Sequence, residues 1–418
     1  MGSNTSLTDR IRDNFSIRLD RNILIVILVT VIGYLVWLYS FPLFGPILSI
    51  YLEEMRFLTI EKGIMLQVFF LLMTLSSIVS GYIIDRTGRR TIFMWVAAVL
   101  GSILTILLVF ADNITLVFPI AAIIGVVTGV SPTAWGTFFA DYTAPEDRGR
   151  IMGICLGLSM PIGYIFLSTG PINIAGFRNF ELIIVGLLFL VTVATILLKP
   201  KDIEISERAA RRSRGAGTRQ IVLYSAPIFL FYVVVGVLLS AVFPTIQGNI
   251  DNNRFYLMWA IPVFLGSLYG GVQLDTRGRK FPMIVGLAIT GISLAVLGIL
   301  GIKQGNISIV TLAVGFSIVT ISSFIIWSDL APMKSRGLLY GVGVGLMGIA
   351  MLIGLMVSGG GFGSISESRL RSFMFFSAVA LFLCIPPLIV AEDALPKEII
   401  EKRQMEEHLR RAREKMMN

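Results

Sequence analysis

Histidine is almost absent from this chain, with His408 alone in the polar tail. Cysteine is scarce too, with Cys155 and Cys384 both inside apolar runs. So few imidazoles and thiols exclude a zinc site of the Cys/His kind and a disulfide framework. Charge is thin: Asp, Glu, Lys and Arg make up 15% of 418 residues, where an ordinary soluble domain carries about 25%. No nucleophile–base pair, metal cluster or phosphate-cradling loop interrupts the uncharged stretches. That speaks against enzymatic chemistry and against a bound metal or cofactor.

What fills the chain instead is apolar. Hydrophobic residues are 55% of it, and the mean hydropathy is +0.82. Runs of roughly 20 apolar residues recur along nearly the whole length, which is the span a bilayer core requires. They are continuous rather than alternating, so they predict helices and not a β-barrel. Reading between charged breaks predicts twelve spans near 23–48, 62–84, 91–111, 114–140, 150–172, 179–198, 220–247, 255–274, 281–302, 307–330, 337–359 and 372–392. The first 21 residues are polar and basic, which speaks against a cleavable leader. The opening "MGSNTS" fits an N-myristoylation pattern, a match short enough to arise by chance.

The net charge of +9 is a matter of placement. With twelve spans, 28 of the 35 basic residues fall on the side that holds both termini, and 7 fall on the other. The positive-inside rule then puts both termini in the cytoplasm of a multi-pass protein of the cell (plasma) membrane. The excess charge is an orientation signal beside lipid, not a nucleic-acid surface. The longest loop of that side, 199–219, divides the spans into six and six. The tail after 392 carries Glu398–Lys402, Glu406–Arg410 and Glu407–Arg411 at helical i,i+4 spacing, which predicts a short helix. The domain reading is a cytoplasmic segment 1–22, a bundle 23–198, a linker 199–219, a bundle 220–392 and a cytoplasmic helical tail 393–418.

The joints between spans repeat. Shifted by 190 residues, Gly81, Asp85, Gly88, Arg89 and Arg90 fall on Gly271, Asp275, Gly278, Arg279 and Lys280. Shifted by 188, Asp141, Arg148, Gly149, Gly153 and Gly157 fall on Asp329, Arg336, Gly337, Gly341 and Gly345. Charged positions that coincide at the same joint of each half imply two parallel six-helix units, a transporter architecture. The Gly-x-x-x-Gly-x-x-x-Gly ladders lie along one helix face and admit a close neighbour, either as a moving contact or as plain tight packing.

"GYIIDRTGRR" at 81–90, with Asp85 and Arg86 at its centre, resembles the signature between the second and third helices of the major facilitator superfamily at every position. "GVQLDTRGRK" departs once, at Thr276. The joints "ADYTAPEDRGR" and "SDLAPMKSRG" resemble those of that family's sugar-porter-like branch. The resemblance covers essentially the whole chain. It implies an all-α membrane fold of twelve helices in two pseudo-symmetric bundles, and alternating access. It also implies a cytoplasmic gate built from the joint charges, in which Asp85 lies by the start of the eleventh helix, Arg89 reaches toward Asp141, and Arg279 toward Asp329. Other branch markers are missing: no Pro-Glu-Ser-Pro-Arg stretch follows the sixth helix, and in place of a paired-glutamine clamp the seventh-helix stretch "YSAPIFLFYVVVGVLLSAVFPTIQG" has only Gln247, near its outer end.

In that family the first, fourth, seventh and tenth helices line the cavity. Polar or amphipathic side chains near mid-depth there are Tyr34, Trp37, Thr128, Ser131, Tyr232, Ser317 and Thr320. The alternative reading is of lipid-facing or helix-packing hydroxyls that bond their own backbone. No span carries a carboxylate, histidine, lysine or arginine near its centre, where ionised groups mark proton relays and sites for charged cargo. The expected partner is therefore a small neutral or amphipathic solute, moved by a monomer in lipid. Efflux of hydrophobic compounds and a non-transporting sensor built on the same fold are the alternatives.

Overall fold

The computed structural model describes residues 21–40, 59–111, 113–169, 216–243, 245–246, 252–301, 306–358 and 366–395, with scattered positions within 182–193 and at 399, 401 and 405. Nothing but helix and short turns occurs among them. In lipid, each apolar run must satisfy its own backbone N–H and C=O groups, and the helix does so within one segment.

In chain order the helices are α1 (Arg21–Ser40), α2 (Thr59–Thr87), α3 (Arg90–Val109), α4 (Ile114–Tyr142) and α5 (Arg148–Thr169). A sixth helix, α6, is seen at the described positions of 182–193. Then come α7 (Thr218–Val237), α8 (Asn252–Thr276), α9 (Lys280–Leu300), α10 (Asn306–Leu330), α11 (Arg336–Val357) and α12 (Glu367–Leu383), the last extended by Ile385–Val390. Among the described residues, nine helical segments are long and apolar enough to cross a membrane.

Large side chains left on the outside are apolar along α3 and α9 and along α12 beyond Arg371, as at Leu107, Ile299 and Phe376. Those helices present a lipid-facing surface. α10 is the opposite case, enclosed by α8, α9, α11 and the ends of α4 and α5. Proline falls inside α4 at Pro119 and Pro132, inside α7 at Pro227 and inside α8 at Pro262, where it cannot donate a helical hydrogen bond. α7 also widens into a π-helical turn over Leu238–Val242.

The two halves meet along two long seams, α2 against α11 and α5 against α8. Glycine makes both possible. A Cβ on Gly81 would overlap the Gly337 backbone, and one on Gly341 would overlap the Ser77 carbonyl. A Cβ on Gly153 would lie 2.6 Å from the Ser267 carbonyl oxygen. The α2–α11 seam continues toward mid-span, where the Thr74 hydroxyl donates to the Phe70 and Gly345 carbonyls at 2.9 and 3.3 Å.

Glycine is needed for a second reason at the α2–α3 and α8–α9 joints. Gly88 has φ 68° and Gly278 has φ 88°, left-handed values that L side chains rarely adopt. The repeated glycine of the joint motif is the residue that turns the chain at the charged end.

Candidate functional site

The charged end is organised around four aspartates. Asp85, at the last turn of α2, accepts from the backbone N–H of Gly337 at 2.7 Å and of Leu338 at 2.6 Å. Those are the first, otherwise unpaired, donors of α11, and the positive end of its dipole faces the carboxylate. Asp275 repeats the arrangement at α5, accepting from Gly149 N at 2.7 Å and Arg150 N at 2.8 Å. Each half thus caps a helix of the other half. The same interval of sequence recurs because it performs the same task twice.

A lattice of arginines lies between the caps. Asp141, at the end of α4, pairs with Arg90 of its own half and with Arg336 of the other at 2.6 Å. Asp329, at the end of α10, pairs with Arg279 at 2.6 Å and with Arg148 of the other half. Arg148 donates to the Ala140 carbonyl at 2.6 Å, and Arg336 does so at 3.3 Å. One carbonyl therefore joins the two crossing arginines. Arg279 also holds Asp275 at 2.8 Å and the Leu274 and Pro145 carbonyls at 2.7 and 2.5 Å. Burial alone would lower the Arg279 guanidinium, but Asp329 and Asp275 beside it raise it on balance and hold it charged.

The sequence reading of one partner needs correction. Arg89 is solvent-exposed, as is Arg86, and Arg90 is the residue that reaches Asp141. The two joints differ in backbone. Arg89 has φ −96°, ψ 71°, outside the helix, whereas Arg279 at φ −83°, ψ −32° is already helical and turns inward. Lys280 then points elsewhere, donating to the Ile389 and Ala391 carbonyls at 2.7 and 2.9 Å.

Asp393 accompanies this difference and was not singled out from the sequence. It accepts from Arg279 N at 3.0 Å and Lys280 N at 3.2 Å, capping α9. Its neighbour Glu392 is clasped through its backbone by both ends of the Gln220 amide and by the Tyr224 hydroxyl. A lone aspartate after the last span carries no sequence signal for this. Only its adjacency to α9 in space does.

Above the lattice lies an aromatic layer. Tyr34 of α1, Trp135 of α4 and Phe324 of α10 meet with ring centroids 4.6 Å (Tyr34–Trp135), 4.9 Å (Tyr34–Phe324) and 5.7 Å (Trp135–Phe324) apart. Tyr340 of α11 donates to the Phe324 carbonyl at 2.7 Å and packs its ring on Gly136. The Tyr232 and Ser323 hydroxyls are 3.0 Å apart. Trp135, Phe324, Tyr340 and Ser323 were not among the expected cavity residues. They lie deeper than mid-span, and helix facing is not readable from one apolar run.

The expected cavity residues divide. Tyr34 and Tyr232 stand in or beside this layer, both buried. Ser131 is partly accessible one turn above Trp135 on α4. Thr128, Ser317 and Thr320 are buried, and their hydroxyls donate to their own helices at Ile124, Val314 and Phe316, each at 2.8 Å. They serve as packing hydroxyls in this conformation. The Trp37 side chain lies outside the described residues.

Residues 25–250 match the sequence profile of the Major Facilitator Superfamily. This chain belongs to that superfamily. It is 22% identical over 339 residues to a probable anion transporter 6 of Oryza sativa, covering 72% of this chain and 79% of that one. It is likewise 22% identical over 397 residues to a probable nitrate/nitrite transporter, NarK2, of Mycobacterium tuberculosis, covering 90% and 98%. Among solved structures it resembles the human organic anion transporter MFSD10 (TETRAN), with a TM-score of 0.64 and 14% identity, over 88% of this chain and all of that one. The superfamily member described here is accordingly an all-helical membrane transporter and not an enzyme, with a small molecule as its cargo.

Proposed function

We propose that this transporter carries a small neutral or amphipathic organic solute by alternating access, and that the conformation described is the one sealed at its charged end. The observation that carries this reading is the reciprocal capping of α11 by Asp85 and of α5 by Asp275, a contact between halves that exists only while that end is shut. The gate is Gly81, Asp85, Arg86, Gly88, Arg89, Arg90, Asp141 and Arg148 with Gly271, Asp275, Gly278, Arg279, Lys280, Asp329 and Arg336. By the distribution of basic residues it faces the cytoplasm of the cell membrane, with both termini. Both half-gates and the aromatic layer come from one chain, which supports a working monomer.

The substrate class rests on what the spans omit. The three proteins compared above are named for anions, yet this chain has no lysine, arginine or histidine near the middle of any span. Burying an anion without a cation is expensive. Rings and hydroxyls suit an uncharged solute. The same rings would suit a hydrophobic compound moved outward, so export is the second reading. A sensor would not need two complete gates. Flux of a neutral solute into proteoliposomes tests the proposal, with spin labels on Thr87 and Lys334 reporting the gate. Flux without any change in that distance would contradict it.

A further inference from the structure

Arg89 and Arg279 hold the same place in the repeated joint, yet Arg279 enters the lattice and Arg89 stays in solvent. The difference begins at their backbone N–H groups. The Arg89 N–H meets the Thr87 hydroxyl at 3.5 Å, a length at which little of a hydrogen bond remains. The Arg279 N–H donates to Asp393 Oδ1 at 3.0 Å, and the Lys280 N–H to Oδ2 at 3.2 Å. The turning glycine makes room for this carboxylate. A Cβ on Gly278 would overlap it, whereas one on Gly88 would meet no described atom within 4 Å. The segment that carries Asp393 is itself fixed. Ala391, Ala394 and Leu395 are buried, and Lys280 Nζ holds the Ile389 and Ala391 carbonyls. Gln220 and Tyr224, at the start of α7, clasp the Glu392 backbone. Residues 389–395 thus form a strap that ties α7, α9 and α12 together at the charged end.

We propose that Asp393 is a positioning residue of the gate: it turns Arg279 into the lattice, and through Arg279 it holds the opposite half. This rests on the gate argued above. One carboxylate takes the first two free donors of a helix start, where an anion is favoured. Arg279 then adopts helical angles ahead of α9, and its side chain turns inward. The guanidinium reaches Asp275, Asp329 and the Pro145 carbonyl. All three lead to α5 of the other half. Asp275 caps that helix, Asp329 pairs with its Arg148, and Pro145 lies just before it. The hydrogen bonds of Asp393 itself, to Arg279, Lys280 and Leu395, stay within its own half. Its effect on the seam therefore passes through Arg279, and the segment after the last span becomes a working part of the gate.

The test uses the full-length protein in lipid vesicles, with spin labels on Glu146 and Thr276 reporting the α5–α8 side of the gate. Asp393→Ala should raise the ratio of open to sealed molecules about fivefold, the scale of a lost helix cap. Arg279→Gln should raise it as well. In the double variant Asp393→Ala should add nothing further, because the residue through which it acts is gone. Wild-type distances in Asp393→Ala, even with a lowered melting temperature, overturn the inference and leave the gate standing, since the acid then only anchors the strap. Additive shifts in the double variant also overturn it. Wild-type distances in Arg279→Gln overturn the gate reading and this inference with it. If Arg279→Gln does not fold, Arg279→Lys takes its place in the cycle. Should Asp393→Ala fail to fold, Gln220→Ala combined with Tyr224→Phe loosens the strap and keeps the carboxylate. That pair should lengthen the same distance, and an unchanged distance overturns the inference.

Discussion

Asp85 and Asp275 make the same two backbone contacts in mirrored places, and their surroundings make them unequal. Asp85 is half-buried beside the exposed Arg86 and Arg89, while the Asp275 side chain is fully enclosed with Arg279 and Arg150. Asparagine at either site keeps one acceptor and loses the charge. Asp85→Asn weakens a helix-terminus interaction worth about 0.3–1 kcal/mol in exposed settings. It should therefore shift the population toward the state open at the charged end with little change in melting temperature. Asp275→Asn breaks an enclosed pair and leaves Arg279 under-compensated, which costs about 3–5 kcal/mol and should lower the melting temperature markedly. Distance distributions between spin labels on Thr87 and Lys334, with thermal unfolding alongside, separate the two. Unaltered distances in Asp85→Asn would rule out its gating role, and equal melting temperatures would rule out the asymmetry.

Among the helices, the seams turn charge placement into motion. Gly341 of α11 faces the Ser77 carbonyl of α2 with no space for a methyl group. A methyl group cannot be absorbed by backbone as it can by a flexible side chain. Gly341→Ala should therefore disfavour the sealed state specifically, lengthening the Thr87–Lys334 distance while leaving α11 helical. Gly63→Ala, where a Cβ meets nothing within 4 Å, is the matched control. A Gly341→Ala protein with wild-type distances would mean that the ladder only packs. Much of this level was legible beforehand. Apolar run length set the spans, and the charged residues repeating at 188–190 revealed both joints, because a joint between lipid-buried helices has few other charges to confuse the register. The choice between Arg89 and Arg90 was not legible. It depends on whether the residue after Gly88 is already helical, a difference of backbone angle that two nearly identical motifs do not encode. The aromatic layer was hidden for another reason. Trp135 in "SPTAWGTFF" looks like any core ring, and only the approach of α1 and α10 from far along the chain gives it Tyr34 and Phe324 as neighbours.

For the molecule as a whole, two expectations concern the membrane itself. The first is orientation: if the basic side is cytoplasmic, a cysteine placed at Ser213 in the linker should stay unlabelled by an impermeant reagent outside sealed cells, and one at Asn306, at the start of α10, should be labelled. Labelling at 213 would invert the topology and with it the assignment of the gate. The second is coupling. Driving a solute uphill with protons needs a group that binds a proton in one state and releases it in the other. In a membrane interior such a group is a carboxylate or histidine held where its charge is expensive. No span places one near its centre, and Asp85, Asp141, Asp275 and Asp329 lie at the charged end, bound to arginines or to helix N-termini. Asp141 and Asp329 are each held by two arginines. The expected result is flux that runs down the solute's own gradient and does not respond to an imposed pH difference. Reconstituted vesicles carrying an internal pH dye measure both at once. Accumulation against the solute gradient, driven by a pH step and collapsed by a protonophore, would contradict this. The carrier would then have to be Asp141 or Asp329, released from its arginines when the charged end opens, and Asp141→Asn and Asp329→Asn would be the variants that decide which.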